Sequence, residues 1–297
     1  MKTWKQSLCA ALAAVLLVGC SGSPAQPESA SPAPETPTTS ESTPEPAPVQ
    51  PAQPSEDAPE APKHELIPEP TEPTEPSTSQ EPLVSSGSVG WVWFDDAVFI
   101  GDSVSLKLKN YVTKQRQNDA GFLGGAQFLT SGSLGSANAL WEVSDQSVHP
   151  AYQGEKMLLE ESIPLTGAKK IYIMLGTNDI GLYGIEDSVK NYQTLLERIL
   201  ETTPDASIYV QSATPICEGA EKKALNNANL EIYNEQLQAL CEEKGYTFVD
   251  VASVLRDENG FLPRDYCSDP DGMGIHFTDV ACEIWIDYLR TDAVRYA

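Results

Sequence analysis

The stretch KIYIMLGTND, residues 170–179, decides how the rest of the chain is read. Its first half is apolar on both faces and rich in β-branched and aromatic residues, as a buried parallel strand is. It then runs into Gly-Thr-Asn-Asp, residue types that tolerate unusual backbone angles and end a strand in a turn. Four more stretches repeat the pattern: AVFIGD (97–102), AQFLTSG (126–132), SIYVQSATP (207–215) and YTFVDVAS (246–253). Amphipathic stretches lie between them. In 187–204, Val189, Tyr192, Leu196 and Ile199 recur at helical spacing ahead of Pro204. In 229–246, Leu230, Tyr233, Leu237 and Leu240 make one stripe, and Gly245 supplies a stop. A last helix is expected from Thr278 as N-cap, with Trp285 and Leu289 turned inward. Strand and helix in alternation predict an α/β fold, a five-stranded parallel sheet with helices on both faces.

Sites in such sheets form beyond the carboxyl ends of the strands. That rule selects Gly101–Ser103, Ser131–Gly135, Gly176–Asp179, the loop after Pro215 and the segment before the last helix. Ser103 leaves the first strand at the mouth of a helix, where its hydroxyl is exposed among backbone N–H groups. On its own, Gly-Asp-Ser also reads as an ordinary turn with a helix cap. Asn178 ends the third strand, and its amide could face a developing oxyanion. Asp102 and Asp179 stand beside these motifs and read as hydrogen-bonding residues that pin the loops. Of the two histidines after residue 88, His149 sits in SVHPAYQG with no motif around it, and His276 immediately precedes the last helix.

Taken together, GDS at 101–103, GTND at 176–179 and a histidine at 276 resemble the SGNH, or GDSL, hydrolases. The blocks stand in the family's order across residues 89–297. The resemblance implies a flavodoxin-like, three-layer α/β/α sheet carrying a serine esterase or lipase, with no metal and no organic cofactor. It implies Ser103 as nucleophile and His276 as general base. The oxyanion hole would combine the Ser103 N–H, the Asn178 amide and a glycine N–H from TSGSLGS. Gly132 and Gly135 both qualify for that glycine, and Gly135, further into the loop, is the preferred one.

One block departs from the family. The carboxylate that supports the histidine is expected three residues before it, and Met273 stands there. In DPDGMGIH, Asp271 lies five residues before His276 and Asp269 seven before. Gly272 and Gly274 can take positive φ and let the chain double back, which favours Asp271 as the third member. Asp269, stiffened by Pro270, is its rival, and a Ser–His dyad oriented by a backbone carbonyl is the third reading.

The amino-terminal third has a different composition. Lys2 and Lys5, a short apolar run and LVGC form the layout of a secretory signal over residues 1–19. LVGC resembles the lipobox of bacterial lipoproteins, which makes Cys20 the expected lipid anchor. From Ser21 to Ser88 the chain holds 17 of its 23 prolines, and 12 acidic residues face the single Lys63. Such a segment cannot bury enough apolar surface to offset chain entropy. Residues 20–88 are therefore expected to be an extended tether, with a reach on the order of 200 Å. The net charge of −24 divides as +2 before the tether, −11 in it and −15 in 89–297. An acidic domain argues against nucleic-acid phosphates or anionic lipid head groups as partners. Membrane contact is expected through the Cys20 lipid only.

Cys217, Cys241, Cys267 and Cys282 match no zinc spacing. Cys241 lies on an apolar helical face, and Cys267 and Cys282 bracket the histidine loop, so a bridge between those two is one possibility. The expectation from sequence is an extracellular serine esterase on the outer face of the cytoplasmic membrane. It would act on small-molecule or polysaccharide esters, with O-acetyl groups of cell-wall or extracellular glycans preferred. A lipase or lysophospholipase with the same triad, or a surface binding module that has lost activity, are the alternatives.

Overall fold

The computed structural model describes residues 84–85 and 87–297. The expected signal, the Cys20 anchor and nearly all of the tether lie outside the described residues. All five expected strands form: β1 (Ala97–Gly101), β2 (Gln127–Thr130), β3 (Lys170–Met174), β4 (Ser207–Gln211) and β5 (Thr247–Val249). They make one parallel sheet in the order β2-β1-β3-β4-β5. That order reverses between β1 and β3, where crevices open at the strand ends of doubly wound sheets.

Register brings those ends level. Gly101 pairs with Thr130 of β2 on one side and with Met174 of β3 on the other. The chain segments that leave these three strands therefore emerge side by side. Five helices flank the sheet: α1 (Ser103–Gln115), α2 (Leu159–Thr166), α3 (Ile180–Thr202), α4 (Asn227–Lys244) and α5 (Asp279–Asp292). α4 stops as its sequence indicates, with Gly245 left-handed at φ +75°. α3 begins seven residues earlier than its apolar stripe suggests. It is broken at Gly184, so the turn carrying Leu182 and Tyr183 precedes the long amphipathic part. The small hairpin at 151–156 and α2 carry no strong periodicity and were not legible in sequence.

On one face of the sheet, in-register aromatics stack across four strands. Ring centroids are 5.3 Å apart for Phe128–Phe99, 4.8 Å for Phe99–Tyr172 and 4.5 Å for Tyr172–Tyr209. Cross-strand aromatic pairs of this kind add to the area they bury. On the other strand positions Ile100, Ile171, Ile173, Ile208 and Val210 are buried, so both faces are covered. From α5, Trp285 and Leu289 reach the core as expected, and the Trp285 indole Nε1 donates to buried Gln211 Oε1 at 2.8 Å.

Replacing Trp285 with Phe removes that donor and leaves a buried amide oxygen unpaired. The expected cost is about 1–3 kcal/mol, with a further loss from the smaller ring. Urea denaturation should show a lower midpoint with an unchanged slope.

Candidate active site

Gly101 ends β1, and Asp102 caps α1 by accepting a hydrogen bond from the Val104 N–H at 2.9 Å. This places Ser103 at the first position of α1, half-buried at the carboxyl edge of the sheet. The other Asp102 oxygen accepts from Thr177 Oγ1 at 2.5 Å and from Asn178 Nδ2 at 3.1 Å. One carboxylate, 2% exposed, thus ties the segment after β1 to the segment after β3. Burial pushes the Asp102 carboxyl above its usual range, against the opposing pull of these donors. The part played by Thr177 was not read from sequence, although its position inside GTND was the available signal.

Asp179 does similar work one strand over. Its carboxylate accepts from the Ser136 N–H at 2.9 Å and the Ala137 N–H at 3.0 Å, fixing the loop that leaves β2. Burial raises its pKa too, and the same N–H groups oppose the rise. At Gly135, the preferred oxyanion glycine, the N–H already has a partner. Gly135 is buried, its N–H donates to Asn138 Oδ1 at 2.8 Å, and a Cβ on it would lie 2.8 Å from the Asp179 carboxylate oxygens. Gly135 is a glycine because a carboxylate occupies the space a side chain needs. Gly132 stands exposed at the start of the same loop. Asn178 Nδ2 also donates to Leu134 O at 3.1 Å, so a substrate oxygen would share an amide hydrogen with one of these acceptors.

The histidine arrives from the opposite end of the domain. Cys267 and Phe277 form an antiparallel bridge, and the Ser268 N–H donates to His276 O at 2.7 Å. Between them the chain turns tightly. The N–H groups of Gly272 and Gly274 both donate to Asp269 O, at 2.8 and 3.1 Å, and Gly274 alone of the two glycines has positive φ, at +68°. The excursion therefore closes on Asp269. Its Oδ2 lies 2.7 Å from His276 Nδ1, and its Oδ1 accepts from the His276 backbone N–H at 3.1 Å. Asp271, the residue preferred from sequence, is at the tip of the turn, with its side chain 87% exposed and paired with Arg264 Nη2 at 2.7 Å. Counting back from the histidine misleads here because the partner sits across a ladder, not one helical or turn step away.

His276 Nε2 lies 3.0 Å from Ser103 Oγ. With the Nδ1 proton held by Asp269, Nε2 is left to accept the serine hydroxyl. Partial burial pushes the Asp269 carboxyl up, but hydrogen bonds from the His276 ring, the His276 N–H and the Cys267 thiol outweigh it and hold the pKa below the ordinary value. Such a relay removes the hydroxyl proton as the oxygen attacks a carbonyl and stabilises the imidazolium that results. His149 lies elsewhere, buried, with Nε2 3.3 Å from Ala139 O. Among the described residues, Cys217, Cys241, Cys267 and Cys282 are thiols. Cys241 is buried in α4 as expected, while Cys267 faces Cys217 and not Cys282.

The sequence matches the model of the GDSL-like Lipase/Acylhydrolase family over residues 116–283. The match takes in Asn178, Asp269 and His276 and begins after Ser103. No curated protein matches the chain. Among solved structures, it is similar to a GDSL-like lipase from Bacteroides thetaiotaomicron, at 15% identity and TM-score 0.51, over 68% of this chain and 90% of that one. A carbohydrate esterase family 3 protein from Talaromyces cellulolyticus aligns at 15% identity and TM-score 0.44, over 67% and 96%. At 15% identity the likeness to the lipase is one of fold alone.

The depressed Asp269 pKa has a sign that can be measured. Ionised Asp269 stabilises the folded chain above its ordinary value of 3.8, and that contribution is lost as pH falls through the lower folded value. The stability gap between wild type and Asp269→Asn, followed by urea denaturation, should be constant near neutrality and shrink below pH 3.8.

Proposed function

Since the chain belongs to the GDSL-like lipase/acylhydrolase family and is a hydrolase, we propose that it is a serine esterase with Ser103, His276 and Asp269 as its triad. The observation that carries this reading is the continuous path from Ser103 Oγ through the His276 ring to the Asp269 carboxylate, at 3.0 and 2.7 Å. Ser103 Oγ attacks the ester carbonyl while Nε2 takes its proton. The Ser103 N–H, a glycine N–H of the loop after β2 and Asn178 Nδ2 hold the oxyanion. His276 returns the proton to the departing alcohol, and water, deprotonated by the same ring, releases the acid.

The proposed substrate is a small acyl ester, foremost an O-acetyl group on an extracellular or cell-wall glycan, and the proposed location is outside the cell on the Cys20 lipid. The acidic 89–297 region supports an uncharged substrate, and the Pro- and Glu-rich stretch ahead of it supports display at a distance from the membrane. Among the described residues no helix is long and apolar enough to cross a bilayer.

A second reading draws on exposed apolar side chains. Trp141, Leu182, Tyr183 and Met273 are exposed at 58, 76, 38 and 47% and belong to the three segments that supply Gly132, Asn178 and His276. Exposed apolar side chains on these segments would suit a longer acyl chain or an aromatic alcohol. A series of p-nitrophenyl esters separates the two. On the acetylesterase reading kcat/KM is highest for acetate and falls with chain length, and Leu182→Ser changes it little. On the lipase reading it climbs with chain length, and Leu182→Ser flattens the climb.

The triad itself is tested with p-nitrophenyl acetate. Ser103→Ala should lower kcat by at least about 10³-fold. Asp269→Asn presents an amide N–H to Nδ1 and favours the wrong tautomer, for an expected loss of about 10²–10⁴-fold. Asp271→Asn breaks only an exposed ion pair with Arg264 and should stay within about twofold of wild type. Full activity in Asp269→Asn, or its loss in Asp271→Asn, would sink the assignment.

A further inference from the structure

Two buried thiols, Cys217 and Cys267, lie at the histidine loop. Cys217 follows β4, and its backbone N–H donates to Gly274 O at 2.9 Å, while Ile216 O accepts from the Leu262 N–H at 3.1 Å. The 216–217 segment is thereby bonded both to the turn that precedes His276 and to Leu262 upstream of it. Gly274 has no side chain, and a Cβ there would stand 3.2 Å from the Cys217 Cβ and closer still to Ala220. On the facing arm, Cys267 begins the bridge to Phe277, and its Sγ donates to Asp269 Oδ1 at 3.3 Å. The Cys217 and Cys267 side chains are 0 and 5% exposed, and each influences the ionisation of the other. Cys282 is on α5 beside Lys107 and Asp279, on the α1 side of that helix.

We propose that Cys217 and Cys267 are a disulfide-forming pair that ties the histidine loop to the segment after β4. The oxidant is a small-molecule disulfide. One cysteine thiolate attacks it, forms a mixed disulfide and expels a thiolate, which takes up the proton the cysteine released. The second cysteine, deprotonated in turn, displaces the remaining half. Two electrons pass from the pair to the oxidant, leaving one Sγ–Sγ bond and two small-molecule thiols. In the closed form Asp269 loses the thiol donor and keeps both contacts with His276.

The pair closes during folding more readily than after it. Burial pushes the Cys267 thiol up to about 12 and raises Cys217 as well, so the folded protein presents almost no thiolate at neutral pH. A closed bridge spans a loop of about 50 residues, long enough for a substantial stabilisation by restriction of the unfolded chain.

The test refolds the full chain with oxidised glutathione and maps its peptides without reduction. The expected result is a linked peptide pair containing Cys217 and Cys267, and a Tm that falls by about 5 °C or more when reductant is added. Cys282→Ser should keep both the link and the reductant effect, and Cys217→Ser should lose them. Native reduced protein should form the link far more slowly than refolding protein. A Cys267–Cys282 link, or complete alkylation of Cys217 and Cys267 after oxidative refolding, would overturn the proposal. Mapping the wild type needs no variant to fold. It also does not depend on turnover, so its failure is separate from failure of the esterase reading, which the Ser103→Ala assay reports.

Discussion

The Asp102 carboxylate is the constraint on which the site depends. It is buried, and it accepts from the α1 amino terminus, from Thr177 and from Asn178. A buried carboxylate short of donors is costly, so these three groups are held to it with little freedom. Two segments that leave adjacent strands are locked together one residue away from Ser103. Asp179 extends the lock to the loop after β2 through two further N–H groups. The parallel sheet levels the strand ends, and the two carboxylates convert that levelling into fixed positions for a serine hydroxyl and an amide.

The histidine is held by a different device. A bridge at Cys267–Phe277 and a turn closing on Asp269 O make the base and its carboxylate parts of one short loop. Asp269 grips His276 twice, at the ring and at the backbone, so ring orientation and loop conformation are set by the same side chain. The Ser103–His276 contact joins this loop to the serine across 173 residues. Its precision rests on how α5 and the 216–217 segment seat the loop, which gives the Cys217–Cys267 pair its structural importance.

Composition and surface pull the substrate question in opposite directions. The strong negative charge and the preceding Pro- and Glu-rich stretch suit an uncharged ester met at a distance from the membrane. The apolar side chains on the same three site-bearing segments suit a larger apolar group. Both features are compatible with the one relay, because the chemistry at the carbonyl is indifferent to what lies beyond the acyl carbon or the alcohol oxygen.

Sequence alone determined the fold class, the strands, the positions of Ser103 and Asn178 at strand ends and of His276 ahead of the last helix, and the pinning parts of Asp102 and Asp179. These follow from local patterns, since hydrophobic period and turn residues act over a few positions along the chain. Tertiary structure decided the rest. Asp269 replaced Asp271 because the histidine's partner is set by ladder pairing across a turn, and short polar turns allow several registers. Gly135 is held as a glycine because the Asp179 carboxylate arrives from 44 residues away to fill the space of a side chain. Cys217 displaced Cys282 as the neighbour of Cys267 because strand order, not spacing in sequence, brings the segment after β4 against the histidine loop. Each of these choices turns on which distant groups compete for one volume, and only the packed chain settles that competition.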